Sequence, residues 1–308
     1  MKRKICLTGS SGFIGNQFLD YLLERDEEVI VVFRDRHSKD KLKPSQLDKI
    51  NYVFHENKID SLIEFFKKEK PTIVVHLASL FLSNHTKDDI DKLLESNVKL
   101  GAHLLEAMSL TGVKKIINTS TTWEHYNNKS YDPVNLYAAT KKAFEVMLTY
   151  YINVNLTKAI TLMIYDTFGE NDPRKKLIPY LIKGAFGEEE LDLTEGNQVV
   201  SLTDVKDICS AYFNCIENFD ILMEPNINKS YYLDSGVHYS IREIVQQIEL
   251  FFGKKMKVNW GVVPYAKRQV MNLYTGGEKL PYWKPKYSFK KFLKKQFDEY
   301  SKYNLNKQ

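Results

Sequence analysis

The apolar positions near the start of the chain change period twice. Ile5-Cys-Leu7 is a short unbroken apolar run, Ile14, Phe18, Leu19, Leu22 and Leu23 recur at helical spacing, and Val29-Ile-Val-Val-Phe33 is unbroken again. This predicts strand, helix and strand, a βαβ unit of about 30 residues. The pattern repeats. Thr72 to Ala78 and Lys115 to Thr119 read as buried strands, each after a helical stretch (Ile59 to Glu69, then roughly Asp88 to Leu110). Ala159 to Ile164 follows a helical run through Phe144, Met147, Leu148 and Tyr151. Strands alternating with helices predict an α/β fold, a doubly wound parallel sheet of the Rossmann kind that binds ligands at the strands' carboxyl ends. Beyond it, Leu191-Asp-Leu193 and Gln198 to Leu202 predict a strand pair around Gly196. Phe289 to Phe297 predicts an amphipathic closing helix.

Composition narrows the class without changing the fold. The 308 residues are 43% apolar and 27% charged, as in a soluble globular protein, which excludes a disordered or collagen-like chain. The net charge of +5 comes partly from a Lys-rich end at Lys290, Lys291, Lys294 and Lys295 that carries no nucleic-acid-binding motif, so no nucleic-acid partner is expected. Three scattered cysteines are too few for a disulfide framework or a zinc site. Reduced thiols, no metal and a cytoplasmic location are expected. No apolar run approaches the roughly 18 residues of a membrane span, so no membrane partner is expected either.

Candidate chemistry begins in the first turn, Thr8-Gly-Ser-Ser-Gly-Phe-Ile-Gly15. Gly9 permits a tight turn off the strand, Gly12 lets backbone N–H groups approach a pyrophosphate, and Gly15 allows close packing of helix on strand. The helix N-terminus then faces the phosphates. A dinucleotide site is the reading, with Ser11, Phe13 and Ile14 beside it and Leu77, Ala78 and Ser79 at the neighbouring strand end. At the close of the second strand, Arg34 and Arg36 flank Asp35. Guanidinium groups suit a ribose 2′-phosphate, which favours NADP(H), while Asp35 keeps NAD(H) possible. Tyr137 and Lys141, four apart, share one helix face. An adjacent ammonium would lower the phenol's pKa toward a value useful for proton transfer. Upstream, Asn118-Thr-Ser-Thr-Thr-Trp-Glu-His-Tyr126 ends a strand in hydroxyls that could hydrogen-bond a ketone oxygen.

The glycine triplet with Phe13-Ile14, His76-Leu-Ala-Ser79, Asn97-Val98, the hydroxyl cluster and Tyr137/Lys141, in that order, resemble the extended short-chain dehydrogenase/reductase family over nearly the whole chain. Asn118 to Asn128, Pro133 to Lys141 and Tyr165 to Arg174 resemble, more narrowly, nucleotide-sugar 4-ketoreductases of the CDP-abequose/CDP-paratose synthase type. The resemblance implies NADPH-dependent reduction of the C4 ketone of a CDP-linked deoxy sugar for surface polysaccharide synthesis. It also implies a homodimer. Its triad falls on Thr121, Tyr137 and Lys141, with Ser120 and Thr122 as other hydroxyls for the first role. Asn97 falls near the cofactor. Thr122, Trp123, Asp166, Arg174, Lys176 and Arg268 fall on the substrate side. Residues 1–165 with 201–235 would form the dinucleotide-binding domain, and 166–200 with 236–308 a smaller discontinuous substrate domain. Two alternatives stay open: an NAD-retaining nucleotide-sugar 4-epimerase, and a non-catalytic relative that senses dinucleotides or binds RNA.

Overall fold

The computed structural model describes residues 3–187 and 190–305. Its strands are β1 (Lys4–Thr8), β2 (Glu28–Phe33), β3 (Asn51–Phe54), β4 (Ile73–His76), β5 (Lys115–Thr121), β6 (Lys158–Ile164), β7 (Asp166–Phe168), β8 (Leu191–Leu193), β9 (Val199–Asp204), β10 (Asn228–Leu233), β11 (His238–Ser240), β12 (Val258–Trp260) and β13 (Glu278–Lys279). Eight of them form one parallel sheet in the order β13-β10-β6-β5-β4-β1-β2-β3.

Parallel strands are covered on both faces, and the alternation along each strand shows how. Ile5 and Leu7 of β1 and Val29, Val31 and Phe33 of β2 pack into the core beneath the helices Phe13–Leu23 and Val205–Glu217. Cys6, Ile30 and Val32 point the other way, under Ile59–Glu69, Leu100–Thr111 and Leu136–Asn155. The strand order reverses between β1 and β4, which opens the crevice where the glycine turn lies.

A third core, built on Phe168, Leu181, Ile244, Ile248, Phe289 and Leu293, sits in the smaller lobe. Here the expected strand pair does not form. β8 pairs in parallel with β12, while β9 pairs with β7 and, antiparallel, with β11. The alternation that marks each segment as a strand is local, but the choice of partner is made by chain 36 or more residues away. The expected lobe boundaries also shift. Residues 199–204 belong to the small sheet, and Glu278–Lys279 returns to the edge of the large one, where Leu280 and Trp283 join its core. No described helix is long and apolar enough to cross a membrane. Among the described residues, no group of three or more His, Cys, Asp or Glu side chains could hold a metal. All three cysteines are buried and free.

Candidate active site

The glycine turn is constrained from within the protein at two of its three glycines. Gly9 has φ +78°, and a Cβ there would lie 2.5 Å from the Ala78 nitrogen; one on Gly15 would lie 2.1 Å from the Gly9 carbonyl oxygen. At Gly12 the nearest atom would be 3.4 Å away, so the protein itself leaves room for a side chain. Gly12 also caps the helix Phe13–Leu23 with no side-chain hydrogen bond, leaving first-turn N–H groups for a ligand. Ser10 Oγ beside it is buried without a partner. Uncapped amides and an orphaned hydroxyl at the crevice fit the pyrophosphate of a dinucleotide. Ser11, Phe13 and Ile14 complete that turn.

Across the crevice, the Thr8 hydroxyl accepts from Ala78 N–H at 3.1 Å and pairs with His76 Nδ1 at 2.8 Å. His76 is a buried packing residue, held neutral by burial and by Lys141, which push its pKa down to about 3. Leu77, Ala78 and Ser79 leave β4 at the crevice. Asn97, in a π-helical turn, spends its whole amide on the scaffold. Its Oδ1 accepts from Leu80 N–H at 2.6 Å, and its Nδ2 donates to Leu80 O at 3.0 Å and Thr140 Oγ1 at 2.9 Å. It holds the β4 exit against the helix that carries Tyr137 and Lys141.

At the β2 exit both oxygens of Asp35 are taken. One accepts from Ser38 N–H and Ser38 Oγ, the other from Arg34 at 2.9 Å. Partial burial alone would raise the pKa of Asp35, but these bonds outweigh it and bring it to about 2. Arg36 is largely exposed, over the Phe54 ring and near Glu56.

Asn135 caps the helix Leu136–Asn155 by accepting from Ala138 N–H at 3.0 Å, and this fixes Tyr137 and Lys141 in its first two turns. Lys141 is 1% exposed, and burial lowers its pKa to about 8 against the pull of Glu124 and Glu145. The expectation of a lowered phenol pKa is corrected. Burial, with the Glu124 carboxylate, pushes Tyr137 above its ordinary range, and only a hydrogen bond with Ser79 opposes this. The phenol therefore stays protonated, which suits a proton donor.

The four hydroxyls at the end of β5 go to different places. Thr119 donates to His76 O or pairs with Tyr212 OH, and Ser120 donates to Glu124. Thr121 accepts from Trp123 N–H at 3.3 Å. Thr122 lines a cleft of about 590 Å³ together with Trp123, His125, Tyr165, Asp166 and Arg268, among others. Glu124 does not line it. Phe81 stands edge-on to Tyr137 at 5.0 Å and 5.5 Å from the Trp123 ring, making an aromatic wall at the phenol.

The four substrate-side residues from the smaller lobe are not equally free. Arg174 lies over the Phe13 ring at 4.3 Å and is tied to Asp172 twice at 2.7 Å and to Thr167 O. The structure thus places it as a brace between the lobes. Asp166 and Lys176 lie close enough to oppose each other's burial-driven shifts, the carboxyl upward and the ammonium downward. Lys176 Nζ also sits 4.3 Å above Phe81. Arg268 pairs with Asp132 and stacks over Tyr126 at 4.3 Å, while its buried Nε lacks a partner. Tyr165 opens the segment singled out from the sequence, whereas Phe81, Asp132 and Tyr274 were missed. Only Phe81, two residues past Ser79 at a strand's carboxyl end, had a signal that could have found it.

A family model described as the NAD dependent epimerase/dehydratase family matches residues 5–228. The chain belongs to that family. This epimerase/dehydratase-family chain is 24% identical over 301 residues to the CDP-abequose synthase of Salmonella muenchen, covering 96% of this chain and 97% of that one. It is 23% identical to the UDP-glucose 4-epimerase of Halalkalibacterium halodurans, covering 92% and 91%. Among solved structures, the UDP-glucose 4-epimerase of Brucella ovis in complex with NAD superposes with a TM-score of 0.80 at 22% identity, covering 97% of this chain and 98% of that one. The resemblance read from the motifs, and the doubly wound fold, are borne out.

Proposed function

We propose that this chain reduces the C4 ketone of a nucleotide-linked 4-keto-deoxy sugar, with CDP as the nucleotide and NADPH as the reductant, in polysaccharide biosynthesis. The observation that carries the reading is that Tyr137 and the buried Lys141 stand one turn apart on the helix Leu136–Asn155, with the Tyr137 ring 5.0 Å from Phe81 and Phe81 5.5 Å from Trp123, which lines the cleft. Tyr137 would give its proton to the C4 oxygen, Lys141 would stabilise the phenolate and hold the nicotinamide ribose, and Thr121 would orient the ketone with Thr122 on the cleft side. The dinucleotide, when bound, supplies the hydride. Phe81 and Trp123 offer an apolar face to ring carbons that lack hydroxyls, and Arg268 with its free Nε would grip the diphosphate. Thr122 and Trp123 follow Thr121 at the cleft, where an elimination would need a carboxylate acid and base, which argues against that reaction.

The similarity to CDP-abequose synthase across almost the whole chain supports the substrate class. A turnover screen of NADPH oxidation against CDP-, dTDP- and GDP-linked 4-keto sugars, with NMR of the product, tests it. Reduction of the CDP sugar is expected. Tightly held NAD with interconversion of sugar C4 epimers, and no net NADPH oxidation, would establish the epimerase instead.

The NADPH preference rests on Arg34 and Arg36 and on an Asp35 whose oxygens are already engaged. Charge-assisted hydrogen bonds contribute about 1.5–3 kcal/mol, so Arg34→Ala should weaken NADPH by roughly tenfold or more while NADH changes little. Fluorescence titration reads both, and equal effects would remove the argument.

A homodimer is part of the same proposal. Val146, Tyr150 and Val154 form an exposed stripe on the helix Leu136–Asn155, each 59% exposed or more, with Leu110 exposed on the helix Leu100–Thr111. Tyr150→Asp should convert a sedimenting dimer to monomer, and an unchanged dimer would move the interface elsewhere.

A further inference from the structure

Arg3 and Arg174 each meet a carboxylate with both donors of one guanidinium edge. Nε and Nη2 go to Glu27 in the first case and to Asp172 in the second. That edge is a fork matched to two oxygens of one anion. At Arg268 the fork is split. Nη2 donates to Asp132 Oδ1 and lies 3.4 Å from Asp132 O, while Nε is buried without an acceptor. A buried donor left unpaired costs free energy, so this pose leaves part of the guanidinium unused.

The surroundings fix Asp132 and leave the Arg268 side chain free to turn. The Asp132 N–H donates to Glu124 O at 2.8 Å, and its carbonyl accepts from Tyr126 N–H at 2.9 Å. Its second carboxylate oxygen, Oδ2, accepts from Lys129 Nζ at 3.1 Å, so Asp132 keeps a cation whether or not Arg268 is there. Arg268 lies in residues 261–277, which form no helix or strand. The backbone is pinned on either side of it. Asn197 N–H donates to Tyr265 Oη at 3.0 Å, and Val199 N–H donates to Met271 O at 3.0 Å. What can move is the long side chain, whose guanidinium rests over the Tyr126 ring at 4.3 Å. Arg268 lines the cleft of about 590 Å³, whereas Asp132, Tyr126 and Lys129 are not among its lining residues. An anion in the cleft therefore meets Arg268 and not the carboxylate that holds it.

We propose that Asp132 is a positioning residue that holds Arg268 while the cleft is empty and gives it up to the diphosphate of the substrate, whose oxygens take both Nε and Nη2. The proposal rests on the ketoreductase reading for its substrate. The exchange replaces one charge-assisted bond by two and pairs the orphaned Nε, while Lys129 keeps the released carboxylate neutralised. Asp132 thereby competes with the nucleotide. It competes equally with substrate and product, because reduction at C4 leaves the diphosphate unchanged. Binding energy common to substrate, transition state and product lowers KM without raising kcat, and it slows product release. A competing carboxylate at this arginine keeps that common part small.

Asp132→Asn keeps the shape of the side chain and removes its charge. Calorimetric titration with CDP, UDP and dTDP, and with cytidine, uridine and thymidine, reads the exchange without turnover. For the nucleotide that binds tightest, Asp132→Asn should raise affinity about tenfold, with affinity for the matching nucleoside within about twofold of wild type. In an Arg268→Ala background the same substitution should change nucleotide affinity by less than about threefold, because no guanidinium is left to exchange. In turnover, KM for the keto sugar should fall while kcat does not rise. A merely structural role would not tighten binding. Weaker or unchanged nucleotide binding in a folded Asp132→Asn, a gain that persists in full with Arg268→Ala, or no binding of any of the three nucleotides overturns the proposal. A gain that depends on Arg268, with no reduction of any keto sugar by the wild-type protein, would leave the exchange standing and overturn the ketoreductase reading alone.

Discussion

Tyr137→Phe should lower kcat for keto-sugar reduction by about 10²–10⁴-fold, the range for loss of a positioned general acid, with dinucleotide affinity nearly unchanged. The substitution removes one oxygen and keeps the ring. The edge-on contact of that ring with Phe81 at 5.0 Å survives, so the aromatic wall stays in place. The phenol is protonated throughout the neutral range, because burial and Glu124 hold it above its ordinary value. The limiting charge is then that of Lys141, whose ammonium is needed to receive the developing phenolate. Its pKa is lowered to about 8, so the ammonium is present below that pH and lost above it. Turnover should therefore fall as pH rises through about 8, and a stopped-flow pH profile of hydride transfer reads this limb. An unchanged rate in Tyr137→Phe would take the phenol out of the chemistry.

The parts of this arrangement legible in the sequence are those governed by local spacing. Gly9, Gly12 and Gly15 between two apolar runs mark the crevice, and the four-residue step from Tyr137 to Lys141 marks one helix face. What spacing could not give is the direction of the phenol's shift, which depends on how deeply Tyr137 is buried and on a carboxylate that comes in from the β5 exit. The role of Arg174 was hidden for a similar reason. In the sequence it is one cation in a basic turn, whereas in the fold Asp172, two residues earlier, takes its donors and Phe13, from the other lobe, takes its face. Gln198 to Leu202 reads as a strand, and β9 (Val199–Asp204) forms there, yet its partners β7 and β11 lie far away in sequence, so its sheet could not be read locally. The stack of the His125 and Tyr274 rings, 4.1 Å apart, is likewise a meeting of two distant segments.

The glycine turn gives the second large effect, and a pair of variants divides its causes. In Gly15→Ala the new Cβ would stand 2.1 Å from the Gly9 carbonyl oxygen and 2.7 Å from its carbon, and both are backbone atoms that cannot swing aside. The helix Phe13–Leu23 must move off β1, at a cost of about 1–3 kcal/mol as for other overpacked interiors, and its first-turn amides leave the crevice with it. Both the melting temperature and dinucleotide affinity should fall, the affinity by roughly a hundredfold or more. Gly12→Ala meets nothing closer than 3.4 Å and has an ordinary φ of −86°, so the folded protein accommodates it. Its melting temperature without ligand should match that of the wild type. Any loss of affinity in Gly12→Ala must then come from contact between the methyl group and the bound phosphates, and about tenfold is expected. Differential scanning fluorimetry with and without NADPH measures both quantities on each variant. Wild-type affinity in Gly12→Ala would mean that the pyrophosphate does not lie over this turn, and the dinucleotide would have to be placed elsewhere along the carboxyl edge of the sheet.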